Sequence, residues 1–274
     1  MREFAEHNVL VTGAGRGIGK RLAMGFASAG ASLGLLARSE QELDLAKLEI
    51  EHAGAKAISL AADVRDYAAL QAAVARMQIE LGSVDVLICA AAVQGPIGPL
   101  IETEPRSWME AFETNMFGVM LSCRAVLAGM IARRRGKIIV LSGGGAAYAR
   151  PNFTAYAASK AAVVRFVESL AGEVLDHNIQ VNAMSPGGTF THMTDEILRA
   201  GERAGWKETE NAEQVRLSGG VKPEQQIELA LFLASRRSNH ISGKLLHVND
   251  DWRKLEKKNL HPEMYTLRRL QRTT

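Results

Sequence analysis

Short apolar runs rich in Val, Ile, Leu and Ala recur along the chain at positions 9–11, 33–36, 57–60, 84–89, 137–141, 180–184 and 245–248. Between nearly all of them, apolar positions return every third or fourth residue, as on one face of a helix. Runs buried on both faces alternating with helical stretches predict βαβ units, whose strands pair in parallel under covering helices. The predicted fold is α/β: a Rossmann-like, doubly wound parallel sheet of about seven strands with helices on both faces. Ligands of such sheets lie outside the carboxyl ends of the strands. Six segments reach that edge: a glycine turn after the first strand, then Arg38, Asp63, the Ala90, Ala91 and Ala92 run, Gly143, and Pro186-Gly187.

Polarity rises and strand signals vanish over 191–220, which reads as a mobile lid and as the segment that sets substrate specificity. Pro223 opens a helix carrying the periodic apolar run 227–233. The chain therefore divides into a single dinucleotide-binding and catalytic domain, 1–252, and a basic extension, 253–274, that is solvated or docks on another subunit. The length of 274 residues, with 47% apolar and 23% charged, suits one large α/β domain. With 33 basic against 30 acidic residues the charge is too balanced to point to nucleic acid. Cys89 and Cys123, the two cysteines, show no metal-ligand spacing and read as reduced, packed thiols, so no metal is expected. No leader and no apolar run near the ~18 residues of a membrane span stand out, and a cytoplasmic protein that does not bind membranes is expected.

The turn Thr12-Gly13-Ala14-Gly15-Arg16-Gly17-Ile18-Gly19 has the parts of a pyrophosphate cradle. Glycines take backbone conformations closed to other residues, and a helix N-terminus attracts anions through its free N–H groups. At the end of the second strand an acidic residue would bond a ribose 2′-hydroxyl and repel a 2′-phosphate. Here the strand ends in Ala37-Arg38-Ser39, and Arg38 with Arg16 suits a phosphate instead, which favours NADP(H) over NAD(H). Glu40 and Glu42 are competing partners for Arg38. Further along, Tyr156 and Lys160 stand four apart in a helical run, which puts a phenol and an ammonium on one face. Lowering a phenol's pKa by about three units takes roughly 4 kcal/mol, comparable to one cation about 4 Å away at an effective dielectric near 20.

Glycines spaced by three residues and then one, with Thr12 in front, together with Tyr156 and Lys160, resemble the short-chain dehydrogenase/reductase family over about residues 7–250. The resemblance implies hydride transfer between nicotinamide and a carbonyl/secondary-alcohol pair of a small molecule, with Tyr156 as general acid/base. It further implies that Lys160 holds the nicotinamide ribose and passes protons to a water on Asn115, that Asp63-Val64 receives the adenine, and that Pro186, Gly187, Thr189 and Thr191 hold the carboxamide. It also implies a homodimer or homotetramer, for which Ala157, Ala158, Ala161 and Ala162 offer a small-residue helix surface.

Two departures stand out. Gly143 occupies the position of the family's catalytic serine, and Ser142 comes one residue early, where a regular strand would turn it to the other face. A bulge that turns Ser142 in, a glycine N–H, or a lid residue are the possible replacements; the glycines would also make room for a bulky substrate. Cys89-Ala90-Ala91-Ala92 stands where the family has Asn-Asn-Ala-Gly. These losses keep open a coenzyme-binding sensor or assembly subunit with little turnover. A sugar epimerase or dehydratase also uses a Tyr-Lys pair, but with another glycine spacing and a larger C-terminal substrate domain.

Overall fold

A computed structural model describes residues 3–257 and 260–269. Seven strands, β1 (Asn8–Thr12), β2 (Ser32–Ala37), β3 (Ala57–Ala61), β4 (Val86–Cys89), β5 (Gly136–Leu141), β6 (Ile179–Ser185) and β7 (Leu245–His247), form one sheet in the order β3-β2-β1-β4-β5-β6-β7. Every neighbouring pair is parallel, as the alternation of runs predicts. The fourth strand begins at Val86 rather than Val84, because the two preceding residues are engaged by side chains. Val84 O accepts from Arg133 Nη2 (2.7 Å), and the Asp85 carboxylate binds Arg135 (2.6 Å) and the Asn8 N–H (3.1 Å).

Side chains alternate across the sheet and divide the core into two layers. Val9 and Val11 pack with Leu22 and Phe26 of α1 (Gly17–Ser28), Leu43 and Ile50 of α2 (Glu40–His52), and Leu229 and Phe232 of α9 (Pro223–Ala234). Leu10, between them, faces Leu70 and Val74 of α3 (Tyr67–Glu80), Val119 and Val126 of α5 (Gly118–Arg133), and Val163 and Val167 of α6 (Thr154–Glu173). The strand order reverses between β1 and β4, which opens a crevice at their carboxyl ends.

Three expectations need correction or refinement. The stretch Pro105–Arg133, in which α4 (Pro105–Phe112) runs through a π-helical turn (Glu113–Phe117) into α5, is by length and composition apolar enough to cross a membrane. Much of that apolarity is a core-facing stripe, with Val119, Cys123, Val126 and Met130 buried against the sheet. Segment 191–220, expected as a lid without strands, is helical: it forms α7 (His192–Ala200) and α8 (Trp206–Ser218), and strand signals vanish there because the pattern is that of helices with a narrow buried edge. Ile197, Ala204 and Ala212 form that edge against Phe153 and Tyr156. Of the basic tail 253–274, residues 258–259 and 270–274 lie outside the described residues. The rest folds back on the body: Leu255 is buried beside Trp252, whose ring lies 5.0 Å from that of Phe232, Leu245 N donates to Tyr265 O (2.7 Å), and Arg268 pairs with Glu168.

Candidate active site

The strand ends, α7 and α8 enclose a cavity of about 1640 Å³ that holds both ends of the predicted site. At its floor the glycine turn lies against the end of β4. Gly13 has φ +67°, and a Cβ there would stand 2.7 Å from Ala91 Cα; one at Gly19 would stand 2.2 Å from Gly13 O. Thr12 Oγ1 accepts from the N–H groups of Ala90 (3.2 Å) and Ala91 (3.3 Å), so a strand-one hydroxyl ties down a segment that lacks its own side-chain amides. Helix α1 starts at Gly17 with no side-chain cap and no acid in its first turn. Its free N–H groups and the lining residues Gly15, Arg16, Gly17 and Ile18 therefore fit an anionic pyrophosphate.

At the neighbouring strand end, Ser39 caps α2 by accepting from Glu42 N (3.3 Å). Arg38 is exposed, lines the cavity and makes no hydrogen bond among the described residues. Glu42, close enough along the chain to compete for Arg38, binds Arg16 instead (3.2 Å). Hydrogen bonds from Arg65 hold the Asp63 carboxyl below the usual carboxylate range, and Val64 packs where a Cβ on Gly118 would meet it at 2.6 Å.

The Pro186 loop is held from α9 by a residue that sequence reasoning missed. Buried Gln226 donates from Nε2 to Pro186 O (2.7 Å) and Thr189 Oγ1 (2.6 Å), and its Oε1 accepts from Arg21 (2.7 Å). Thr191 caps α7 in a reciprocal exchange with Thr194. Both threonine hydroxyls thus shape the loop that carries Gly187 (φ +71°).

At the chemical end, Tyr156 is buried on α6, with its hydroxyl 2.5 Å from where a Cβ on Gly143 would stand. Glycine at 143 therefore makes room for the phenol. Lys160 Nζ donates to Leu141 O (2.8 Å) and lies 5.6 Å from the Tyr156 ring centre; burial brings the ammonium down to about 8. The expectation that Lys160 lowers the Tyr156 pKa is not met in this geometry. Burial pushes Tyr156 up, and the cation opposing that rise is Arg150, whose guanidinium carbon is 5.4 Å from the ring centre. Arg150 was also missed in the sequence, since its partner, Glu208, lies 58 residues away on α8.

Ser142 lines the cavity but is 2% exposed, and its Oγ has no hydrogen-bond partner among the described residues. Asn115 sits on the π-helical turn, where Oδ1 accepts from Val93 N (2.8 Å) and Nδ2 donates to Val93 O (2.9 Å) and Ser159 Oγ (3.1 Å). Its amide is thereby engaged in joining the β4 loop to α6. Cys89 and Cys123 are free and buried together, a contact that with burial raises the Cys89 thiol well above its ordinary range. No cluster of metal-ligating side chains occurs among the described residues.

Comparison with known proteins agrees with this architecture. The family described as short chain dehydrogenase matches residues 7–201. Gluconate 5-dehydrogenase of Gluconobacter oxydans is 34% identical over 240 residues, covering 88% of this chain and 92% of the relative. A crystal structure of a gluconate 5-dehydrogenase from Burkholderia cenocepacia in complex with NADP and tartrate superposes with a TM-score of 0.80 at 28% identity, covering 90% of this chain and 94% of that one. A 3-oxoacyl-[acyl-carrier protein] reductase from Brucella melitensis with bound NAD gives a TM-score of 0.77 at 30% identity over 90% of this chain and 91% of that one. By its sequence match, its sheet and these relatives, the chain belongs to the short-chain dehydrogenase/reductase family of NAD(P)-dependent oxidoreductases.

Proposed function

We propose that the protein uses NADP(H) in preference to NAD(H) to interconvert a carbonyl and a secondary alcohol on a small polar molecule, with Tyr156 as general acid/base. One observation carries the reading: an uncapped helix N-terminus, an uncommitted Arg38 and the Tyr156-Lys160 pair line a single cavity. The coenzyme supplies or accepts the hydride. Around it, Gly13, Gly15, Gly17, Ile18 and Gly19 offer backbone to the pyrophosphate, and Arg38 and Ser39 with Arg16 serve a 2′-phosphate. Asp63, Val64, Ala90, Ala91 and Ala92 line the path between, and the loop of Pro186, Gly187, Thr189 and Thr191 closes the nicotinamide end.

In reduction Tyr156 gives its hydroxyl proton to the carbonyl oxygen, and in oxidation the phenolate takes one from the alcohol. Lys160 stands behind the phenol as a cation, and Asn115 fixes the loop above it. Ser142 Oγ is unpartnered but sealed from the cavity, so a local turn of the β5 end would have to bring it in to steady the substrate oxygen in place of the missing serine. Support for a small polar substrate comes from the Burkholderia relative, whose structure holds tartrate, and from the gluconate named for the Gluconobacter enzyme.

Turnover of polyols, hydroxy acids and small ketones with each coenzyme, for wild type, Tyr156→Phe and Arg38→Asp, tests the whole reading. Tyr156→Phe should lose turnover while still binding coenzyme, and activity retained there would remove the acid/base role. Arg38→Asp should reverse the NADP(H) preference, by about tenfold or more in kcat/KM. A preference left intact would overturn the coenzyme assignment.

A further inference from the structure

Arg150 is a buried cation in the catalytic cavity, and the acid/base reading gives it no task. Its side chain is 9% exposed and lies over Phe153, with the guanidinium carbon 4.0 Å from that ring's centre. Such stacking fixes the planar fork before any ligand arrives. One nitrogen, Nη2, donates to Glu208 Oε2 (2.8 Å) in the first turn of α8. The donors on Nε and Nη1 have no hydrogen-bond partner among the described residues, and neither atom is among the fully buried unpartnered ones. Glycines 143–145 contribute no side chains to the space in front of it, which Arg150 shares with Tyr148: a Cβ on Gly144 would come to 2.9 Å from the Tyr148 hydroxyl and 4.0 Å from Arg150 Nε. That space adjoins the Tyr156 hydroxyl, which stands over Gly143.

Resting on the oxidoreductase reading, we infer that Arg150 is the receptor for a carboxylate carried by the substrate close to the reacting carbon, which makes the substrate class small hydroxy acids and their keto acids. A guanidinium with open donors bonds an anion about twice as strongly as a neutral acceptor. A carboxylate suits it better than a phosphate dianion. Glu208 already holds one side of the fork, Lys160 is engaged with Leu141 O, His192 is engaged with Glu196 (3.1 Å), and the uncommitted Arg38 lies at the end of β2, where it serves the coenzyme, so among the described residues Arg150 meets the substrate as a single cation. Glu208 in turn tempers the affinity by repelling the incoming acid, while it anchors α8 over the bound molecule.

The test measures binding to the NADPH complex by calorimetry and turnover with NADP+, for malate, tartrate and gluconate, each against its amide. At least one acid should bind wild type about tenfold or more tighter than its amide. Arg150→Met should erase that difference, with the loss in KM rather than in kcat alone. Glu208→Gln should widen it, a change opposite in sign to any folding defect. Acids binding no tighter than amides, or Arg150→Met weakening acid and amide alike as loss of a strut to α8 would, overturns the assignment. Turnover of any of these acids, their amides or neutral 2,3-butanedione with either coenzyme reports separately on the oxidoreductase reading, which fails if none of them turns over.

Discussion

A buried hydroxyl without a partner gives up its water and gains no bond in return, which costs a fold about 1–3 kcal/mol. Ser142 is such a group, at the wall of the cavity that holds Tyr156. Its neighbour Gly143 bears no hydroxyl to replace it, because the Tyr156 phenol occupies the space a side chain would need. Removing the Ser142 hydroxyl should therefore help the fold and harm the chemistry. In Ser142→Ala, the melting temperature should hold or rise by a few degrees while kcat falls about tenfold or more, since one lost donor to a developing oxyanion costs on the order of 10²–10³. Melting curves and steady-state kinetics on the same preparation check it; a stabilised variant with unchanged kcat would move the donor role to a glycine N–H.

Strands and crossovers were readable because each strand is buried on both faces and each helix on one, so periodicity carries the fold. The glycine turn and the Tyr156-Lys160 pair were readable for a similar reason, since their function depends on local spacing. Helices α7 and α8 were not, as the apolar edge they bury is little more than Ile197, Ala204 and Ala212 and offers little apolar pattern. Nor were Arg150 and Gln226, whose partners are brought near by the fold alone. Gln226 joins α9 to the β6 loop across 37 and 40 residues. In Gln226→Leu, Pro186 O and Thr189 Oγ1 lose their donor, and the loop loses its tie to the helix. The expected result is a loss of about 1–3 kcal/mol in stability and a rise of about tenfold in the coenzyme dissociation constant. Denaturant titration and coenzyme fluorescence measure the two, and unchanged coenzyme affinity would show that the loop keeps its shape without α9.

Across the whole molecule the two ends of the sheet treat charge differently. At the carboxyl end, cations face a cavity open to anions; at the other end, Lys137 of β5 is 9% exposed beside a small cavity of about 300 Å³ lined also by His7, Asp85, Arg135 and Arg236. Asp85 is held by Arg135 (2.6 Å), so among the described residues Lys137 has only the neutral oxygens of Asn239 (2.8 Å) and Ser238 (3.4 Å). Burial lowers its pKa from 10.5 to about 7. A lysine whose folded pKa lies below its unfolded value binds fewer protons when folded, so it costs stability in full below pH about 7, and the cost fades as pH rises towards 10.5. The upper bound on that cost is on the order of 5 kcal/mol. Lys137→Met keeps the chain length and removes the charge. It should melt higher than wild type at pH 6, with the gap shrinking steadily above pH 7 and closing only beyond pH 10.5. His7, which burial also lowers, has the same sign of dependence but is common to both proteins, so it cancels in the difference. A gap independent of pH would mean that Lys137 reaches solvent or an acid when folded and carries no burial cost at this end of the sheet.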